Sequence, residues 1–204
     1  MQSPIACHVW LMPAPAGGVA AGRTRSATAD GKDGSYCEIY FLTPSAMTDA
    51  DRCCTLVGEP RDESYFRKMV AHEYGGIFLQ RQNRMDAGWR FGSAPLWFVQ
   101  GYEEWLALQL ASEHSRTVTF EKYKALVANS PDRIGFFGVA NEFTDGTVLV
   151  AFLHDEFGTA KVRAVLRSKK KSFAEALEAE LGVNAEGLLQ RWTRWRKKAL
   201  GTRK

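Results

Sequence analysis

The chain has 204 residues and a formal net charge of +4, a length that suits one domain of ordinary size. Apolar residues make up 45% and charged residues 25%, so a core of useful size can be buried and disorder along the whole chain is excluded. No segment approaches the roughly 18 consecutive apolar residues of a membrane-crossing helix. The first residues lack a basic start and are interrupted by Pro4 and His8, so a soluble protein without a clear signal peptide is expected, its compartment left open.

In chain order, Ile5 to Met12 is an apolar run stopped by Pro13 and reads as a strand. Gly17 to Gly34 is rich in Gly, Ala, Ser and Thr and reads as a loop. Tyr36 to Leu42, closed by Pro44, reads as a second strand. Cys7 and Cys37 fall on these two strands, while Cys53 and Cys54 are adjacent in sequence. No C-x-x-C pair occurs, so zinc ribbons and thioredoxin-type sites gain no support. Buried free thiols are the default, with a Cys7–Cys37 disulfide as the alternative.

From Ser64 onward the apolar spacing becomes helical. Tyr65, Met69, His72, Gly76 and Leu79 recur along one face and predict a helix over 64–82. Pro95 suits a first helical turn, with Ser93 as a cap, and predicts a helix from Leu96 to about Ala111. Further helices are predicted over 120–128, 148–157, 160–167, 173–181 and 185–200, with Gly158 and Gly182 at C-terminal cap positions. Lys169 to Lys171 reads as a solvated turn. The outline is α+β: a small N-terminal β-sheet followed by a mainly helical body.

Charge is unevenly placed. Residues 191–204 hold seven basic side chains and no acid, which leaves 20 basic against 23 acidic elsewhere. A basic C-terminal helix of this kind can meet phosphate groups. It equally suits a helix end whose cations complement the helix dipole. On this last helix Leu188, Leu189, Trp192 and Trp195 are expected to face inward.

The stretch that points to chemistry is Met69 to Gly76, which places His72 and Glu73 on a helix after an apolar run. In the H-E-x-x-H signature, histidines at i and i+4 share a face and grip one metal, while the glutamate acts as general base. Here Gly76 stands at the second histidine position. A lone His-Glu pair is also what a structural histidine looks like. The second segment is Ala94 to Ala107, with Pro95, Trp97, Gly101, Glu104 and Trp105.

Together the two segments resemble the gluzincin metallopeptidases, in particular the peptidase MA-like group, whose second helix reads roughly P-x-W-x-x-E-G-x-A-E-Y. The resemblance covers about residues 64–200 and implies a single zincin-like domain over 1–200, followed by a basic end at 201–204. It implies that His72 is a metal ligand, that Glu73 is the catalytic base, and that Glu104 hydrogen-bonds His72 from outside the metal's own ligands. It also places Gln100 where the family carries a ligand glutamate, and Phe143 where many relatives carry a tyrosine.

Gly76 and Gln100 are therefore degenerate ligand positions. Structural zinc sites hold their metal with roughly 10–16 kcal/mol from four ligands, which one histidine cannot supply. No cofactor is expected, and zinc only if unusual ligands replace the missing ones. His154, beside Asp155 and Glu156, and His114 are the candidates for that, although a solvent-facing polar cluster is the simpler reading of 154–156. His8 is expected to be structural. Three readings follow: a catalytically inactive metallopeptidase-like binding or assembly module with a protein partner, an active zinc peptidase with non-standard ligands, and a nucleic-acid-contacting component of a ribonucleoprotein acting through the basic C-terminal helix.

Overall fold

The computed structural model describes residues 6–12, 22–27, 36–42, 63–110, 113–129 and 142–200. The chain divides into two compact units, Met1–Ile77 and Phe78–Lys204. In the first, β1 (Ala6–Met12), β2 (Gly22–Ala27) and β3 (Tyr36–Leu42) form a sheet in the order β1-β3-β2. β1 runs parallel to β3, with Cys7 opposite Cys37 and Val9 opposite Ile39. β2 pairs antiparallel to β3. The apolar runs predicted β1 and β3. β2 lies inside the predicted loop, because Gly22-Arg23-Thr24-Arg25-Ser26-Ala27 carries no apolar run to announce a strand.

Helix α1 (Glu63–Asp86) begins in the first unit and continues into the second. A short 3₁₀ turn (Phe91–Ser93) leads to α2 (Leu96–Leu110), then α3 (Glu113–Asn129), α4 (Thr144–Phe157), α5 (Thr159–Arg167), α6 (Phe173–Leu181) and α7 (Ala185–Leu200). The expected fold class is corrected here. The described residues from 63 to 200 contain no strand, and the buried apolar side chains of the described residues run from Ile77 to Trp192 on these helices and their connecting turns. The class expected was α+β, a small sheet leading into a mainly helical zincin-like body. Among its described residues the body found is all-helical, because 3.6-residue apolar spacing recurs along most of its segments and no two-residue alternation stands out to build a sheet.

The centre of the second unit is the crossing of α2 and α4. A Cβ on Gly101 would run into the backbone of Gly146, and a Cβ on Gly146 would meet the Trp97 carbonyl. Two glycines thus let the helix backbones touch. Around the crossing, Val148, Leu149, Phe152, Phe98 and Leu108 are almost wholly buried. Phe98 packs against Phe173 of α6 with ring centroids 4.6 Å apart, and Trp97 and Trp89 meet the same ring edge-on.

Turns are held by specific polar contacts. Fully buried Asn83 donates to the Leu166 carbonyl at 3.1 Å and accepts the Phe91 N–H at 2.6 Å. Trp89 donates from Nε1 to the Val165 carbonyl at 3.1 Å. Gly158 and Gly182 sit at φ 82° and 74°, and their N–H groups bond the His154 and Glu178 carbonyls, as cap glycines do. The Ser172 side chain accepts the Glu175 N–H at 3.2 Å and so caps the start of α6.

On α7, Leu188 and Trp192 are buried and Trp195 is half-buried, as expected. Leu189 is 42% exposed, which corrects its inward placement. The buried stripe repeats every three to four residues, so a position one residue from Leu188 turns about 100° away from it.

Candidate functional site

His72, Glu73 and Gly76 lie on α1. His72 is 8% exposed, Glu73 is half-buried, and Gly76 is buried one turn beyond His72. The helix therefore presents positions 72 and 76 on one face, as two zinc ligands require, but Gly76 offers no donor atom there. Gln100 and Glu104 lie one turn apart on α2. Gln100 is half-buried, and its carboxamide is a weaker zinc ligand than a carboxylate. Glu104 is only 2% exposed.

A buried carboxylate needs hydrogen-bond donors to repay its lost hydration. One is Tyr123 on α3, itself 2% exposed, whose hydroxyl donates to Glu104 Oε1 at 2.7 Å. The sequence reading missed Tyr123, although it lies inside the predicted helix 120–128, because nothing local marks a tyrosine as a carboxylate's partner. His72 and Glu73 belong to the first unit, and Gln100 and Glu104 to the second. The expected approach of Glu104 to His72 joins residues of different units and is not a feature of either alone.

The 154–156 segment is not a metal-like cluster, nor does all of it face solvent. Asp155 accepts a hydrogen bond from Trp195 Nε1 at 3.3 Å, and Glu156 pairs with Arg191 at 2.9 Å. Both acids thus meet α7. His154 turns the other way and stacks flat on Trp105, ring centroids 3.9 Å apart. Its Nδ1 lies 3.1 Å from the Thr159 hydroxyl, and its Nε2 is buried without a hydrogen-bond partner. Burial, followed by the nearby Arg163 charge, lowers its pKa to about 4. Burial also pushes the Tyr102 hydroxyl up to about 12, against a smaller opposing effect of Arg163.

Phe143 precedes α4 and is half-buried, and its phenyl ring carries no hydroxyl to offer a transition state. Its carbonyl accepts hydrogen bonds from the Thr147 N–H and the Thr147 hydroxyl. His8 lies on β1 and His114 near the start of α3, and their side chains fall outside the described residues. Cys53 and Cys54 also lie outside them. Among the described residues, no three His, Cys, Asp or Glu side chains converge to hold a metal ion.

The basic C-terminal helix is partly committed to its own fold. Arg191 pairs with Glu156 and lies over the Phe157 ring at 5.3 Å, and Arg196 donates to the Val127 carbonyl at 3.1 Å. Arg194, Lys197 and Lys198 are exposed. A second basic feature escaped the sequence reading. Between Glu156 and Glu175 there is no acid, while Lys161, Arg163, Arg167, Lys169, Lys170 and Lys171 fall within eleven residues. That density is legible in the sequence once acids are counted along with bases. Among the described residues no helix is long and apolar enough to cross a membrane.

No protein-family model, curated protein or solved structure matches the chain.

Proposed function

We propose that this chain is a non-catalytic, metallopeptidase-like protein that serves as a binding or assembly module. One observation supports the reading: the positions that the gluzincin resemblance assigns to metal ligands carry no ligand chemistry at Gly76 and Gln100, while α2 is closely packed on α4. Gly76 is buried with no side chain, and Gln100 presents a neutral amide. On α2 itself, Gly101 makes the close crossing with α4 and Glu104 holds a buried polar contact.

Without a bound metal there is no acidified water and no Lewis acid for a peptide carbonyl. Glu73 alone would supply general base catalysis worth about 10²- to 10⁴-fold, far short of what peptide hydrolysis needs. The gluzincin resemblance rests on the His72-Glu73 and Pro95-to-Trp105 segments, and the partner is expected to be another protein.

The test is elemental analysis of the full chain purified without added zinc, alongside a peptide-cleavage assay with zinc supplied. The expected result is zinc far below one equivalent and no cleavage above background. One equivalent of zinc with cleavage that vanishes in Glu73→Gln would overturn the reading in favour of an active peptidase.

A further inference from the structure

A charged groove lies between α5 and α6. It has a volume of about 620 Å³, within the range of small-ligand sites. Arg163 and Arg167 line it from α5, and Lys169 and Lys170 from the following turn. Ala160 and Ala164 line it from the same helix face. Glu180 is the one acid among the lining residues, so four cations face one carboxylate.

The arrangement is built into the fold. Positions 160, 163, 164 and 167 fall on one face of α5 by helical spacing, while Val162, Val165 and Leu166 are buried on the other. The helix therefore cannot rotate its arginines away. The turn after it is anchored where the Ser168 carbonyl accepts the Gly88 N–H at 2.8 Å. The Gly88 backbone also lies so close to the Lys169 and Lys170 carbonyls that a Cβ there would collide with both. The cations are thus carried on a fixed frame, which lowers the ordering cost of binding.

The charges also repel one another. Arg163 and Arg167 form a like-charged i,i+4 pair, which destabilises a helix by itself. The two arginines are separated by about 6 Å along the helix axis, so a ligand with several spaced anionic groups suits the groove better than a single ion. Arginine forks and lysine ammonium groups match phosphate oxygens. No aromatic side chain lines the groove, so it offers no platform for base stacking.

We propose that the α5–α6 groove binds a chain of phosphate groups through Arg163, Arg167, Lys169 and Lys170, without reading bases. Two sources supply this chemistry, a nucleic-acid backbone and inorganic polyphosphate. The inference is independent of the metal-site reading, and it moves phosphate contact from the C-terminal helix to this groove.

The test is fluorescence anisotropy of the full chain with a labelled, mixed-sequence single-stranded RNA of about 20 nucleotides at low salt, with inorganic polyphosphate as competitor and as a direct calorimetric ligand. The variant Arg163→Gln/Arg167→Gln/Lys169→Gln/Lys170→Gln is expected to weaken binding by about tenfold or more and to flatten its salt dependence. Arg194→Gln/Lys197→Gln/Lys198→Gln is expected to change it less than about threefold. Ala160→Glu, at an exposed position, keeps all four cations and places a carboxylate in the groove; it should also weaken binding, and circular dichroism checks that each variant is folded.

RNA binding that polyphosphate displaces and that the four-residue groove variant weakens supports the groove with nucleic acid as one source. Polyphosphate binding alone supports it with polyphosphate as the source. Binding of neither probe, RNA binding that excess polyphosphate cannot displace, or a loss confined to the C-terminal helix variant would overturn the proposal.

Discussion

Replacing Gly101 by alanine probes the contact on which the helical unit is built. An ideal Cβ there would meet the carbon, oxygen and Cα of Gly146, the farthest of the three at 2.6 Å. Carbon atoms at their optimum lie about 3.5–4.0 Å apart. The obstacle is backbone inside a buried helix, so no side chain can swing aside. α2 and α4 must instead part by roughly 1 Å, loosening the packing of Phe98, Leu149 and Phe152 around them. Such overpacking costs about 1–3 kcal/mol, and a backbone obstacle belongs at the upper end. Alanine returns about 0.5–1 kcal/mol through better helix propensity. The net expectation is a loss of about 2 kcal/mol, or roughly 4–8 °C in Tm for a chain of this size.

The assay is urea denaturation followed by circular dichroism, with Gly92→Ala as control because nothing lies within 4 Å of a Cβ there. The control should stay within about 0.5 kcal/mol of wild type. The double variant Gly101→Ala/Gly146→Ala should cost less than the two single changes added, since helices parted once need not part again. A Gly101→Ala protein as stable as wild type would refute the close crossing.

Two further outcomes follow from buried polar groups. The folded chain holds His154 neutral down to about pH 4, while the unfolded chain protonates it near 6.5; its contribution to stability is therefore complete above about pH 6.5 and is lost as pH falls toward 4. Discounted for partial exposure, the loss is about 1–2 kcal/mol, and His154→Phe should flatten urea midpoints measured between pH 7 and pH 4. Tyr123→Phe removes a donor from buried Glu104 and should cost about 1–3 kcal/mol; an unchanged urea midpoint would show that the hydroxyl bond contributes nothing net.

The helices were legible because their apolar period is regular and their ends are marked. Pro95, Gly158 and Gly182 placed three boundaries, and the predicted ranges for α6 and α7 coincide with those found. The start of α3 was predicted seven residues late because Glu113 to Thr119 is mostly polar and lacks an apolar stripe. β2 was missed for a related reason: its cross-strand pairing to β3 overrides a weak local preference, and pairing is not written in local composition. At the candidate site, spacing on one helix was readable, so His72, Glu73 and Gly76 could be grouped. Long-range partners were not. Neither the Glu104–Tyr123 bond nor the stacking of His154 on Trp105 leaves a mark in the residues beside it. Leu189 shows the same limit, since its apolar character alone suggested burial that the helix face denies it.

The central claim, that the metal site has lost its ligands, is tested most directly by calorimetric titration of zinc into the metal-free wild-type chain and into His72→Ala. The account predicts no one-to-one site tighter than about 10 µM, equivalent to about 7 kcal/mol, and no difference between the two proteins beyond weak surface binding. One-to-one binding at nanomolar strength, abolished by His72→Ala, would contradict it.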